Sequence, residues 1–130
     1  MSEPVRQAQS LLRKAGEDLY AARCLSKAPE VSAWTVGFHA QQAVEKALKA
    51  VLMHRGVRYP FTHDLKALVE LVDGAGVSLP PDALDLPYLT PFGTLFRYED
   101  EEWGLPETVS LERMISWAES TIAWARSEIG

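Results

Sequence analysis

The sequence predicts an all-α fold, specifically a four-helix up-and-down bundle with an additional short helix. Three long segments repeat apolar residues at spacings of three and four, which is the pattern of helices that turn one face to a core. No segment alternates apolar and polar residues as a half-buried strand does. With 130 residues, no internal repeat and no low-complexity linker, the chain is expected to form one domain over residues 1–130.

The first predicted helix has a narrow apolar stripe and stops before a proline. We expect it to end near Pro29, because proline is poorly tolerated in a helix interior, and Ser32 is suited to cap the next helix. Helical spacing puts the apolar residues on one face, which predicts a helix packed on other helices. The stripe consists of Val5, Ala8, Leu12, Ala15, Leu19 and Ala22.

The second predicted helix has the clearest pattern, and a shorter third helix follows it. The second should end around Gly56, since glycine readily adopts the left-handed conformation that closes many helices. For the third, Thr62 is the predicted N-cap, Asp64 lies in the first turn, and the Gly-Ala-Gly stretch at 74–76 closes it. The stripes are Val36, Ala40, Val44, Ala47, Leu48 and Val51 in the second helix and Leu65, Leu68, Val69 and Val72 in the third.

The region from residue 78 to residue 100 is harder to assign, because Pro87 and Pro91 would each break or kink a helix interior. We expect short helical pieces there. After Pro106, either Thr108 or Ser110 can cap a last helix. The apolar stripe of this last helix consists of Leu111, Ile115, Ala118, Ile122, Ala125 and Ile129.

Composition and charge argue against several classes of protein. No apolar run approaches the roughly 20 residues that a membrane span needs, so we expect no membrane association. The first residues lack an apolar targeting core, and the single Cys24 cannot form an internal disulfide, so we expect a cytoplasmic protein. The formal net charge of −5 argues against general binding of polyanions, because nonspecific affinity for nucleic acid comes mainly from neutralised phosphates.

A motif runs from Phe38 to Leu65, with an aromatic residue and Gln-Gln before Glu-Lys-Ala-Leu-Lys, then a glycine turn and a Thr-His-Asp-Leu helix start. It resembles the HEPN family of small helical-bundle domains, and a looser similarity extends over the rest of the chain. The resemblance implies a four-helix bundle with an extra short helix, usually as a homodimer. It also implies a link to nucleic acid or nucleotides, since many members are metal-independent RNases or toxins and others pair with a minimal nucleotidyltransferase.

The RNase members of this family carry an arginine and, after four to six intervening residues, a histidine. Arg97 matches the arginine, but positions 102 to 104 read Glu-Trp-Gly. Glu102 can serve as a base in principle, yet the acids at 99–101 create a negative field that repels a phosphate. We therefore expect a degenerate active site, with Arg97 and Glu102 as the catalytic candidates that remain. Adjacent carboxylates can also attract Mg²⁺, although in a loop they are more often simply solvated.

Residues 45–66 form the only basic stretch, with five lysines and arginines against two acids. Such cations can contact phosphates, and Tyr59 can stack on a base; the alternative is the solvated end of a helix. The candidate ligand-binding residues are Lys46, Lys49, Arg55, Arg58, His63 and Arg97.

The three histidines lack the spacing of a metal site, so we expect no metal and no cofactor. His39 lies in the middle of a helix and is expected to be structural and hydrogen-bonded. His63 stands beside Asp64, where local capping or packing is favoured over ligand contact. The chain also has four tryptophans, and we expect at least one of them at a subunit interface.

These observations favour a HEPN-like domain that is non-catalytic and binds a partner protein, a nucleotide or RNA. The resemblance suggests a toxin–antitoxin-type pair with a nucleotidyltransferase as one setting. Two alternatives stay open: a metal-independent RNase toxin that uses Arg97, and a structural dimerisation module.

Overall fold

The computed structural model describes residues 2–94, 105–106 and 108–130, and within these residues all regular structure is helical. The predicted all-α helical bundle is confirmed, while the up-and-down order of four helices stays a prediction. None of the described helices combines the length and the apolar character that crossing a bilayer requires. The elements are α1 (Glu3–Ser26), α2 (Ala33–His54), α3 (Leu65–Gly74), a 3₁₀ helix (Leu86–Leu89), α4 (Thr90–Thr94) and α5 (Leu111–Ile129).

Side-chain caps set the beginnings of these helices, and one of them differs from the prediction. The Ser32 hydroxyl accepts from the backbone N–H of Trp34, as predicted, and Ser110 caps α5. In α3, however, the N-cap is Asp64, whose carboxylate accepts from the N–H of Lys66 at 3.0 Å. The prediction of Thr62 was wrong because its hydroxyl accepts from the N–H of Asp64 and so forms the turn before the helix.

Glycines close α2 and α3 at the predicted places. Gly56 follows the last turn of α2 with φ of 73°, and Gly76 follows α3 with φ of 76°. A side chain is strained in this left-handed conformation, so glycine is the residue that ends each helix at low cost.

Helix α2 is the centre of the bundle, because it packs against α1, α3, α4, α5 and the 3₁₀ helix. Most of its residues are buried, and its alanines let the neighbouring helices approach closely. The core between α2 and the surrounding elements contains Leu19, Val44, Leu48, Leu52, Leu65, Leu68, Leu86, Leu89, Phe92, Met114, Trp117 and Ile122.

The two prolines of the middle region begin helical turns instead of breaking them. Pro87 lies in the first turn of the 3₁₀ helix and Pro91 in the first turn of α4, where the missing N–H has no acceptor to lose. The ring of Phe92 in α4 lies against Gly37 of α2 and 4.3 Å, between centroids, from the ring of Trp34. This contact holds α4 on the central helix.

Two of the four tryptophans hold the 3₁₀ helix and the segment before it on α5. Trp124 donates from Nε1 to the carbonyl of Ser78 at 2.7 Å, and Trp117 stacks on Tyr88 with centroids 6.2 Å apart. Both tryptophans are buried within the chain itself. Trp103 lies outside the described residues.

Candidate functional site

A buried carboxylate in the middle of α2 gathers three hydrogen-bond donors. The side chain of Glu45, only 7% exposed, accepts from Gln41 Nε2 at 3.0 Å and from His63 Nδ1 at 2.8 Å, both at Oε1. Its other oxygen, Oε2, accepts from Lys49 Nζ at 2.9 Å. We call Gln41, Glu45, Lys49 and His63 the Glu45 network.

Helix geometry and one loop together build this network. Gln41 and Lys49 lie four residues on either side of Glu45, so all three share one face of α2. The loop before α3 supplies His63, whose carbonyl also accepts from Gln41 Nε2 at 3.2 Å. Above them the backbone of Gly93 in α4 passes so close to the Gln41 amide that a methyl group would overlap it. The network therefore joins α2, the loop before α3 and α4.

The charge state of Glu45 fixes the tautomer of His63. Burial raises the pKa of Glu45, but the hydrogen bonds from Lys49, Gln41 and His63 outweigh burial and leave the pKa below its ordinary value. Because an ionised carboxylate only accepts hydrogen bonds, Nδ1 of His63 must be the donor. In a neutral ring Nε2 is then the nitrogen with the free lone pair, and His63 has a proton-accepting atom.

Aromatic side chains surround the ammonium group of the network. Lys49 Nζ lies 5.5 Å from the centre of the Tyr59 ring and 5.9 Å from that of Phe61. Burial and the negative charge of Glu45 raise the pKa of Tyr59. Phe61 is 93% exposed, and its ring meets the ring of His63 edge-on at 5.6 Å.

The basic stretch that the sequence offered for phosphate binding is divided among carboxylates of three helices. Lys46 bonds to Asp18 of α1, which also accepts from His39 at 3.0 Å, so His39 is hydrogen-bonded as predicted. Arg55 pairs with Glu128 of α5 at 3.3 Å. Lys49 pairs with Glu45, as above. Three of the candidate cations are therefore already neutralised within the chain.

Arg58 differs from these cations, because no carboxylate pairs with it among the described residues. It lines an open cleft of about 480 Å³ between the start of α1 and the end of α2. The cleft also has apolar walls and one aromatic ring, that of Tyr59. Its lining residues are Pro4, Gln7, Met53, Gly56, Val57, Arg58 and Tyr59.

The two catalytic candidates, Arg97 and Glu102, lie outside the described residues. Of the candidate ligand-binding residues, the structure brings Lys49 and His63 together, because both bond to Glu45. The sequence analysis did not name Glu45 as a site residue. A signal for it was present: Gln41, Glu45 and Lys49 recur every four residues in a helix whose residues are mostly apolar. Polar residues on a helix enclosed by others must find their partners inside the fold.

The described residues contain no group of three or more histidine, cysteine, aspartate or glutamate side chains arranged to hold a metal ion. Within that part of the chain, the Glu45 network is the most buried cluster of charged side chains, and its cation neutralises its anion. The arrangement can orient the imidazole of His63, and it offers no uncompensated charge of its own.

Comparison with known proteins agrees with this architecture. A search of curated proteins and a search of solved structures each gave no significant match. A family model described as HEPN domain matches residues 8–128, nearly the whole chain. The chain belongs to the HEPN domain family.

Proposed function

We propose that this HEPN domain acts by binding a partner protein and does not cleave RNA. HEPN domains are often RNases or are associated with nucleotidyltransferases, and a minimal nucleotidyltransferase in a toxin–antitoxin-type pair is the partner we favour. The observation that carries the proposal is the pairing of Lys46, Lys49 and Arg55 with carboxylates of the same chain. A surface whose cations are neutralised internally has little attraction left for phosphates.

The sequence supports the same proposal, because it lacks groups that RNA cleavage requires. RNA cleavage without a metal needs a proton acceptor, a proton donor and positive charge on the phosphate. Arg97 is followed by four acids, and the histidine of the RNase members is replaced by Glu-Trp-Gly at positions 102–104. Because these acids stand next to Arg97, we expect its guanidinium to pair with a carboxylate and not with a phosphate.

An RNA cleavage assay tests the proposal directly. We expect the purified protein to leave single-stranded and hairpin RNA intact in EDTA, and Arg97→Ala to behave in the same way. Cleavage by the wild type that disappears in Arg97→Ala would show that the domain is a metal-independent RNase and would overturn the proposal.

A second candidate, binding of a nucleotide or RNA without cleavage, is supported by the cleft beside Arg58. Its guanidinium has no partner among the described residues, and the Tyr59 ring next to it offers a stacking surface. If a phosphate binds there, Arg58→Ala should lower the affinity for a labelled oligonucleotide about tenfold at low salt. The variant Lys66→Ala should change that affinity little. Equal, weak effects of both variants would leave only nonspecific attraction and favour the partner-protein function.

A further inference from the structure

The chain between Pro81 and Pro91 has a helical course, and the side chains most exposed along it are apolar. The N–H of Leu86 bonds to the carbonyl of Asp82 at 3.1 Å, and that of Tyr88 to Asp85 at 3.0 Å. Residues three and four apart therefore lie on one face. We call the exposed apolar residues at this spacing the outer stripe: Pro81, Leu84, Tyr88 and Pro91.

The outer stripe is unusual because the opposite face of the same segment is apolar as well. Leu84 is 94% exposed and Tyr88 46% exposed, while Ala83, Leu86 and Leu89 are buried in the core. A segment that only covers a core normally presents polar side chains to solvent. An ordered row of exposed apolar residues is instead typical of a surface that another protein covers.

The outer stripe is held in place before any partner arrives. Tyr88 stacks on the buried Trp117, with ring planes 21° apart. The Ser120 hydroxyl donates to the carboxylate of Asp82 at 2.6 Å and so fastens the turn to α5. A preformed surface binds with a smaller loss of conformational entropy than a flexible one.

The charges beside the stripe decide which occupant fits. Asp82 and Asp85 are the only ionisable acidic or basic side chains between residues 81 and 91 apart from the Tyr88 phenol, and both are half-exposed. A second copy related by a two-fold axis would bring the same acids together, which is unfavourable. A partner with lysines or arginines next to its apolar residues would complement them.

We infer that the outer stripe is the docking surface for a basic amphipathic helix of a partner protein. The apolar side chains of the partner helix, spaced three and four residues apart, pack on Leu84 and Tyr88. The lysines and arginines of the partner helix face Asp82 and Asp85. This inference rests on the proposed partner-binding function, and it adds the surface and the chemistry of the partner.

A synthetic helix provides the test. The probe is a fluorescein-labelled peptide of about 18 residues, long enough to hold helical structure, with leucines at spacings of three and four and lysines elsewhere. A matched peptide carries glutamates instead of lysines. Binding is measured by fluorescence anisotropy with wild type, with the stripe variants Leu84→Ser and Asp85→Asn, and with two controls. The controls are Phe61→Ser, an equally exposed apolar residue elsewhere, and Asp73→Asn, an exposed acid on α3.

We expect the lysine peptide to bind wild type at least tenfold more tightly than the glutamate peptide. Leu84→Ser should weaken binding of the lysine peptide about tenfold, because a leucine contact is lost. Asp85→Asn should weaken that binding about threefold. Both controls should bind like wild type. Because Leu84 is almost fully exposed, its replacement should leave the circular dichroism spectrum unchanged.

Three results would overturn the inference: no binding of the lysine peptide, equal losses in stripe and control variants, or a homodimer that Leu84→Ser dissociates. The last result would assign the stripe to a second copy. RNA cleavage in the earlier assay would remove the proposed function while leaving the peptide result unchanged, so the two failures are distinguishable.

Discussion

At the scale of single residues, the central feature is the ionised Glu45 inside the bundle. An isolated carboxylate at this position would be strongly destabilising, since burial removes its hydration. Lys49, Gln41 and His63 offset that penalty with one charge and three hydrogen bonds. The groups depend on one another, because the loss of Glu45 leaves the half-buried Lys49 without its counter-charge.

Glu45→Ala should therefore lower the free energy of unfolding by about 3 kcal/mol, the lower end of the range for breaking a buried ion pair. Urea denaturation followed by circular dichroism measures the change. The matched control is Glu70→Ala on α3, which removes an exposed carboxylate without a partner among the described residues and should cost less than about 0.5 kcal/mol. Similar values for both variants would contradict the importance of the network.

Glu45 should also make the free energy of unfolding depend on pH. The folded-state pKa of Glu45 is below its ordinary value of 4.5, so the unfolded chain takes up the proton first as the pH falls. The stability that Glu45 contributes is complete above about pH 5 and is lost as the pH falls through the folded-state pKa. The difference in unfolding free energy between wild type and Glu45→Ala should thus shrink below pH 4.5; a constant difference would count against this assignment.

At the scale of elements, the helices followed from the sequence because their apolar periodicity and their caps agree. Ser32 and Gly56 mark ends that the sequence identified, and of the two candidate caps for α5 the structure uses Ser110. The N-cap of α3 was assigned to Thr62 instead of Asp64, because two capping residues stand two positions apart and only the backbone conformation distinguishes them. The four-residue spacing of Gln41, Glu45 and Lys49 signalled a polar face on α2, but the bond from His63 to Glu45 could not be predicted, because it depends on how the loop before α3 packs.

Two helical glycines show how an element responds to its neighbours. At a solvent-exposed position inside a helix, replacing glycine by alanine raises the free energy of unfolding by about 1 kcal/mol. We expect that gain for Gly16→Ala in α1, where a methyl group would make only ordinary contact with Arg126. Gly37→Ala in α2 should instead destabilise by about 1–3 kcal/mol, because its methyl group overlaps the Phe92 ring. Thermal denaturation of the two variants compares them, and stabilisation by both would show that α4 moves aside easily.

At the scale of the whole molecule, the open question is self-association. HEPN domains often dimerise, and the sequence led us to expect a homodimer with a tryptophan at the interface. Of the four tryptophans, Trp117 and Trp124 are buried in the core of the chain, and a tryptophan at the interface stays a prediction. The large aromatic residues that remain exposed include Tyr20 on α1 and Phe61 in the loop before α3.

We predict a homodimer at micromolar concentration that does not involve the outer stripe. Sedimentation velocity should give about twice the 14.5 kDa mass of one chain, for wild type and for Leu84→Ser alike. The physical reason is that aromatic side chains exposed on a small domain lower the free energy of association when they are covered. A single 14.5 kDa species would exclude the dimer at that concentration.

The central position of α2 has a consequence for how such a domain can evolve. Substitutions at the buried positions of α2 must satisfy the elements packed around that helix, whereas Leu84 touches solvent and can change without disturbing the core. Substitutions on the outer stripe should therefore cost little stability, and substitutions at the buried positions of α2 should cost more. If the partner proposed above binds at the outer stripe, such a domain can acquire a different partner over time while its central helix stays the same.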